Sequence, residues 1–93
     1  MANNLFISYD LNSPGQDYEA IFDEIKSLGS WAKVQKSFWY VKSHLTAQEA
    51  FDKIRKNIDQ NDSLIVVDTN NNSAKWYGLL DEVGSHMKNQ WRN

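Results

Sequence analysis

The sequence predicts an α+β fold: a four-stranded antiparallel sheet with two helices on one face, followed by a C-terminal helix. Three observations predict it. Short apolar runs rich in aromatic and branched residues alternate with stretches whose apolar residues recur every three or four positions. Those runs come in the order strand, helix, strand, strand, helix, strand, helix. The chain of 93 residues, 41% hydrophobic and 24% charged, suffices for one domain spanning residues 1–93 around one core.

Leu5-Phe6-Ile7-Ser8-Tyr9 is apolar, aromatic and branched, and so reads as a strand that ends at Asp10. Asn12-Ser13-Pro14-Gly15 follows as a turn, because Pro fixes one φ and Gly frees another. Tyr18, Ile21, Phe22, Ile25 and Leu28 then form the stripe of an amphipathic helix, with Asp17, Glu19, Asp23, Glu24 and Lys26 off it. Gly29 is the expected stop. Residues 31–43 carry Val34, Phe38, Trp39, Tyr40 and Val41 but exceed the usual strand length, which predicts two strands joined near Lys36-Ser37.

Thr46-Ala47-Gln48-Glu49 is a capping box that opens a second helix on Ala47, Ala50, Phe51, Ile54 and Ile58. Residues 62–68 form a strand apolar on both faces, hence a central or covered one. The polar stretch from Thr69 to Ser73 is a loop. Trp76, Leu79, Leu80, Val83, Met87 and Trp91 follow helical spacing, interrupted by Gly78 and Gly84. Right-handed crossovers place both main helices on one sheet face. The expected layout is the ferredoxin-like βαββαβ sandwich, with its first and third strands central and its fourth and second outside them. The second sheet face then needs a cover, either the C-terminal helix or a second protomer. The 13% aromatic content, with four Trp, suits either.

Composition removes several function classes. With no Cys there is no disulfide and no thiolate metal site. The formal net charge of −2 gives no chain-wide basic footprint for nucleic acid. The N-terminal MANNLFISYD lacks a positive region, and no segment nears the roughly 20 apolar residues of a membrane helix, so a cytoplasmic protein with no membrane partner is expected. His44 and His86 are isolated, no G-x-S-x-G occurs, and Gly15 and Gly29 lie too far apart to cradle a phosphate.

Asp10 is the candidate for chemistry. It sits where a strand meets a turn, so its carboxylate can be held firmly while facing solvent or a cation. The sheet order should set it near Ser37 or Phe38 on one side and Asp62 on the other. A carboxylate pair there would hold Mg²⁺ or Mn²⁺; the alternative is that Asp10 simply anchors the following turn. Lys33, Lys36 and Lys42 interleave with Trp31, Phe38, Trp39 and Tyr40. That pattern suits phosphate contacts and base stacking, or else an edge strand guarded by lysines. Lys53, Arg55 and Lys56 read as a solvated helix face.

Ile7-Ser8-Tyr9-Asp10-Leu11, then a helix, Gly29 and Val34-Gln35-Lys36-Ser37-Phe38, resembles the small CRISPR-associated Cas-two family. The overall pattern is similar to the related SinR-like proteins at Tyr9 to Asn12, Pro14 to Tyr18, Leu28 to Trp31, Leu45 to Ala47 and a tail tryptophan, Trp76 or Trp91. The resemblance implies a ferredoxin-like homodimer, either a metal-dependent nuclease or a scaffold. It implies Asp10 as catalytic residue and metal ligand, paired with its symmetry mate around Mg²⁺ or Mn²⁺. It also implies that Ser37 and Phe38 lie beside that site, which together with the lysine reading above makes Lys33, Lys36, Ser37 and Phe38 the candidate RNA or DNA contacts. Nuclease members carry basic residues in the first helix, where this chain has Gln16, Asp17, Tyr18, Glu19, Asp23 and Glu24, a pattern that repels phosphates. A dimeric adaptor or inhibitor binding another protein is the alternative expectation. A toxin-type endoribonuclease related to virulence-associated protein D is the third.

Overall fold

The computed structural model describes residues 2–12, 15 and 17–91. Its elements are β1 (Asn3–Asp10), α1 (Tyr18–Lys26), β2 (Ser30–Gln35), β3 (Phe38–Ser43), α2 (Ala47–Arg55), β4 (Ser63–Asp68), β5 (Ser73–Tyr77) and α3 (Asp81–Gln90). The fold is α+β, with a five-stranded antiparallel sheet in the order β2-β3-β1-β4-β5 and three helices among the described residues. Part of the turn expected at residues 12–15, namely Ser13 and Pro14, lies outside the described residues, as does Gln16.

Alternation sets the two faces of the sheet. Leu5, Ile7 and Tyr9 of β1 are buried, while Asn4, Phe6 and Ser8 are only half-buried on the opposite side. The buried side continues through Trp39 and Val41 of β3 and Leu64 and Val66 of β4. It meets Ile21 and Ile25 of α1 and Ala50, Phe51 and Ile54 of α2. The helices are started by local chemistry. Asp17 accepts from Ala20 N at 3.2 Å, and at α2 Glu49 N donates to Thr46 Oγ1 at 3.1 Å while Thr46 N donates to Glu49 Oε1 at 2.9 Å.

Gly29 acts differently from the expected helix stop, since Ser27 caps α1. A Cβ at Gly29 would run into the carbonyl of Lys42, so glycine is what lets the chain enter β2 closely against β3. Ser43 fixes the same junction, donating to Leu28 O at 2.6 Å and accepting from Leu45 N at 3.1 Å. The pairing of β2 with β3 shifts register between Lys33 and Gln35, which marks a bulge in this edge strand.

The expected four-stranded sheet is corrected by β5. Ser73 is expected in the loop and Trp76 in the terminal helix, but residues 73–77 pair with β4 from Asp68↔Ser73 to Leu64↔Tyr77. The physical reason is contact on both faces. Tyr77 lies under Arg55, whose guanidinium carbon is 3.8 Å from the ring centre, and Lys75 Nζ sits 5.8 Å from the Phe51 ring centre. Trp76 points to the other face. The Asn-rich loop before β5 is a hairpin turn held by Asp68, which accepts from Asn70 N at 3.0 Å, Asn71 N at 3.2 Å and Asn71 Nδ2 at 2.6 Å. Gly78 ends β5 with φ +82°, where a Cβ would strike the carbonyl of Asp62.

The terminal helix is shorter than its apolar spacing suggests and buries no residue; Leu80 is 68% and Val83 42% exposed. It reaches the second sheet face only at its β5 end, where Gly84 lies against the Trp76 indole. Phe6, Phe38 and Tyr40 remain half-buried on that face, with Phe6 and Phe38 stacked at 5.5 Å and 8°. No helix among the described residues is long and apolar enough to cross a membrane.

Candidate functional site

Asp10 closes β1 opposite Ser63, and its side chain is exposed. Tyr9 N donates to Ser37 O at 3.2 Å, which ties the end of β1 to the β2–β3 turn. Beside this tie lies a cleft of about 320 Å³ lined by Tyr9, Asp10, Leu11, Tyr18, Phe22, Lys36 and Ser37. The fold therefore brings Asp10, Lys36 and Ser37 to one place. A carboxylate, an ammonium and a hydroxyl surround a space open to solvent.

Two of the expected site residues lie elsewhere. Phe38 pairs with Ser8 and stacks on Phe6 on the opposite sheet face. Lys33 stands on the helix side, with its Nζ 4.4 Å from the Phe22 ring centre and 5.5 Å from that of Trp39. Lys26 does the same over Trp31 at 4.9 Å. Interleaved lysines and aromatics thus satisfy one another within the chain, a contact of about 0.5–1 kcal/mol where exposed. His44 and His86 are both exposed.

Asp62, expected as a second carboxylate near Asp10, is 1% exposed and turned to structural use. Its carboxylate accepts from Asn12 N and from Asp59 N, each at 2.7 Å, and Asn12 Nδ2 donates to Asn61 O at 3.0 Å. The anchoring of the segment after β1, one of two roles expected of Asp10, falls to Asp62. No group of three or more His, Asp or Glu among the described residues gathers in a metal-holding arrangement. Within one chain the carboxylate lining the cleft is that of Asp10, and Mg²⁺ or Mn²⁺ commonly takes one or two carboxylates with waters and substrate oxygens. A carboxylate pair of the expected kind requires a second protomer.

No family model matches the chain, and neither a curated protein nor a solved structure shows significant similarity to it.

Sequence reasoning missed the floor of the cleft. Tyr9 is 5% exposed, and its Oη accepts from Trp39 Nε1 at 3.0 Å and donates to Lys36 O at 3.4 Å. Burial pushes its phenol above the ordinary tyrosine value, an effect the Trp39 hydrogen bond partly offsets. A signal was present in the β1 alternation, which puts Tyr9 in phase with Leu5 and Ile7. Tyr9 also fixes the Lys36 carbonyl, and so positions the turn that carries Lys36 and Ser37.

Proposed function

We propose that this chain is a Cas-two-like, ferredoxin-fold protein that works as a homodimer, serving as a non-catalytic adaptor assembled through the second face of its sheet. One observation carries the reading: Phe6, Phe38, Tyr40, Ile65 and Val67 lie together on that face only half-buried, and α3 meets it at β5. A second copy is the occupant. Phe6 stacks flat on Phe38 and meets Tyr40 at a tilt, and of the face's pleat residues from Asn4 to Ser8, Phe38 to Lys42 and Ser63 to Val67, Lys42 alone is charged. Identical faces of that kind meet across a two-fold axis without like-charge cost.

Sedimentation equilibrium tests the reading. The wild type should show twice the chain mass, and Phe6→Glu should give a monomer with unchanged circular dichroism. A wild type that stays monomeric at high micromolar concentration ends the proposal.

A second reading, a Mg²⁺- or Mn²⁺-dependent nuclease, draws support from the meeting of Asp10, Lys36 and Ser37 at one cleft. It depends on the same dimer, since a second Asp10 must supply the paired carboxylate. Asp17 and Glu19, at the start of α1, oppose phosphate approach nearby. Metal-dependent cleavage of RNA or DNA that vanishes in Asp10→Ala would favour this reading over the adaptor. Absence of cleavage with either metal removes it.

A further inference from the structure

A second concave region lies at the far margin of the sheet, between β5 and α3. It consists of two adjoining hollows of about 350 and 200 Å³ that share Ala74, Trp76 and Lys88. Trp91 closes the larger one, and its indole Nε1 donates to Asn72 O at 2.9 Å, which pins the end of α3 to the hairpin turn. Gly84 lets α3 sit directly on the edge of Trp76, so that indole is also held from one side. Neither indole is paired with another aromatic ring among the described residues. Both are partly exposed.

The charge of the groove runs against that of the chain. The sequence has a formal net charge of −2, yet among the described residues no side-chain carboxylate lines either hollow. Lys88 borders both and is exposed. The ammonium of Lys75 serves the other side of the sheet, over Phe51, so among the described residues Lys88 is the cation of this lining not engaged elsewhere. Two held indoles beside the Lys88 ammonium suit a flat ring that carries an anion. An aliphatic peptide would leave the ammonium unanswered, and a simple anion would leave the indoles unused. Base–aromatic stacking is worth about 1–3 kcal/mol per base and tolerates any base, because every base has a π-face.

We propose that the groove between β5 and α3 binds a nucleotide unit of a single-stranded nucleic acid, with the base against Trp76 and Trp91 and the phosphate at Lys88. This site is separate from the Asp10 cleft and rests on neither the dimer nor the nuclease reading.

The test is fluorescence anisotropy with a labelled eight-residue oligothymidylate and the full chain at low salt. The wild type should bind. Lys88→Glu, a change at an exposed position, should weaken binding about 10-fold and reduce the salt slope by about one. Trp91→Phe, which keeps a ring, should bind more tightly than Trp91→Ser. Circular dichroism of each variant separates loss of binding from loss of fold. An abasic strand that binds as tightly as oligothymidylate overturns the proposal, as does equal binding by wild type and Lys88→Glu. Thymidine monophosphate that competes as well per molecule as the strand overturns the single-strand assignment in favour of a free nucleotide.

Discussion

Replacing Tyr9 by Phe removes a single oxygen from the buried floor of the Asp10 cleft. Trp39 is 1% exposed, so its indole N–H, which now donates to Tyr9 Oη at 3.0 Å, has no water to turn to. A buried donor that loses its acceptor costs about 1–3 kcal/mol, and that is the expected loss for Tyr9→Phe. The second bond of the phenol, to Lys36 O, is long at 3.4 Å and adds little. Trp39→Phe removes the donor and also vacates ring volume in the core, for an expected loss of about 2–4 kcal/mol. In the double variant the two losses should fall short of their sum by about 1 kcal/mol, because the shared bond can be lost only once.

Urea titration followed by far-ultraviolet circular dichroism reads all three variants without relying on tryptophan emission. The pH dependence supplies an independent check. Burial raises the Tyr9 pKa in the folded protein, so the folded state keeps a proton that the unfolded chain gives up. This contribution is fully present below the ordinary tyrosine value of about 10 and is lost as pH rises through the higher folded value. Tyr9→Phe should flatten that alkaline decline. Additive losses, together with a Tyr9→Phe cost under about 0.3 kcal/mol, would refute the claim that the phenol and indole hold the cleft floor.

Gly29→Ala should cost about 1–3 kcal/mol in urea unfolding, since its Cβ meets backbone of β3 instead of a side chain that can turn away. Thr46→Ala, which breaks the reciprocal cap of α2, should cost about 1 kcal/mol by the same measurement. Asp62→Ala strips the acceptor from two backbone amides and should cost about 2–4 kcal/mol, whereas exposed Asp10→Ala should change stability by less than about 0.5 kcal/mol. Thermal unfolding of that last pair distinguishes a structural carboxylate from one available for binding.

Periodicity made the inner sheet legible. β1 alternates, α1 and α2 carry stripes at three- and four-residue steps, and Thr46 with Glu49 announces a helix start. The thirteen-residue aromatic stretch resolved into β2 and β3 at the expected bend. β5 was hidden because Trp76, Leu79, Leu80 and Val83 happen to fall at helical spacing, while the strand itself covers only five residues. Its reason for existing is nonlocal. Tyr77 and Lys75 find their partners on α2, and Gly78 is set by a backbone contact with Asp62 that no local pattern contains. The site shows the same division. The position of Asp10 at a strand end could be read from the sequence, as could the meeting with Ser37. The capture of Asp62 by the Asn12 amide could not, because that contact depends on how β4 packs beside β1.

The bulge in β2 bears on how this protein behaves in crowded solution. β2 and β5 are the two margins where the sheet could accept a further strand. Along β2 the register shift between Lys33 and Gln35 breaks the even spacing of donors and acceptors that an incoming strand must match. Lateral growth of one sheet onto another is therefore frustrated on that side. A small protein with six consecutive exposed residues in an outer strand, Trp31 and Val34 among them, thereby keeps a barrier against ribbon-like polymerisation.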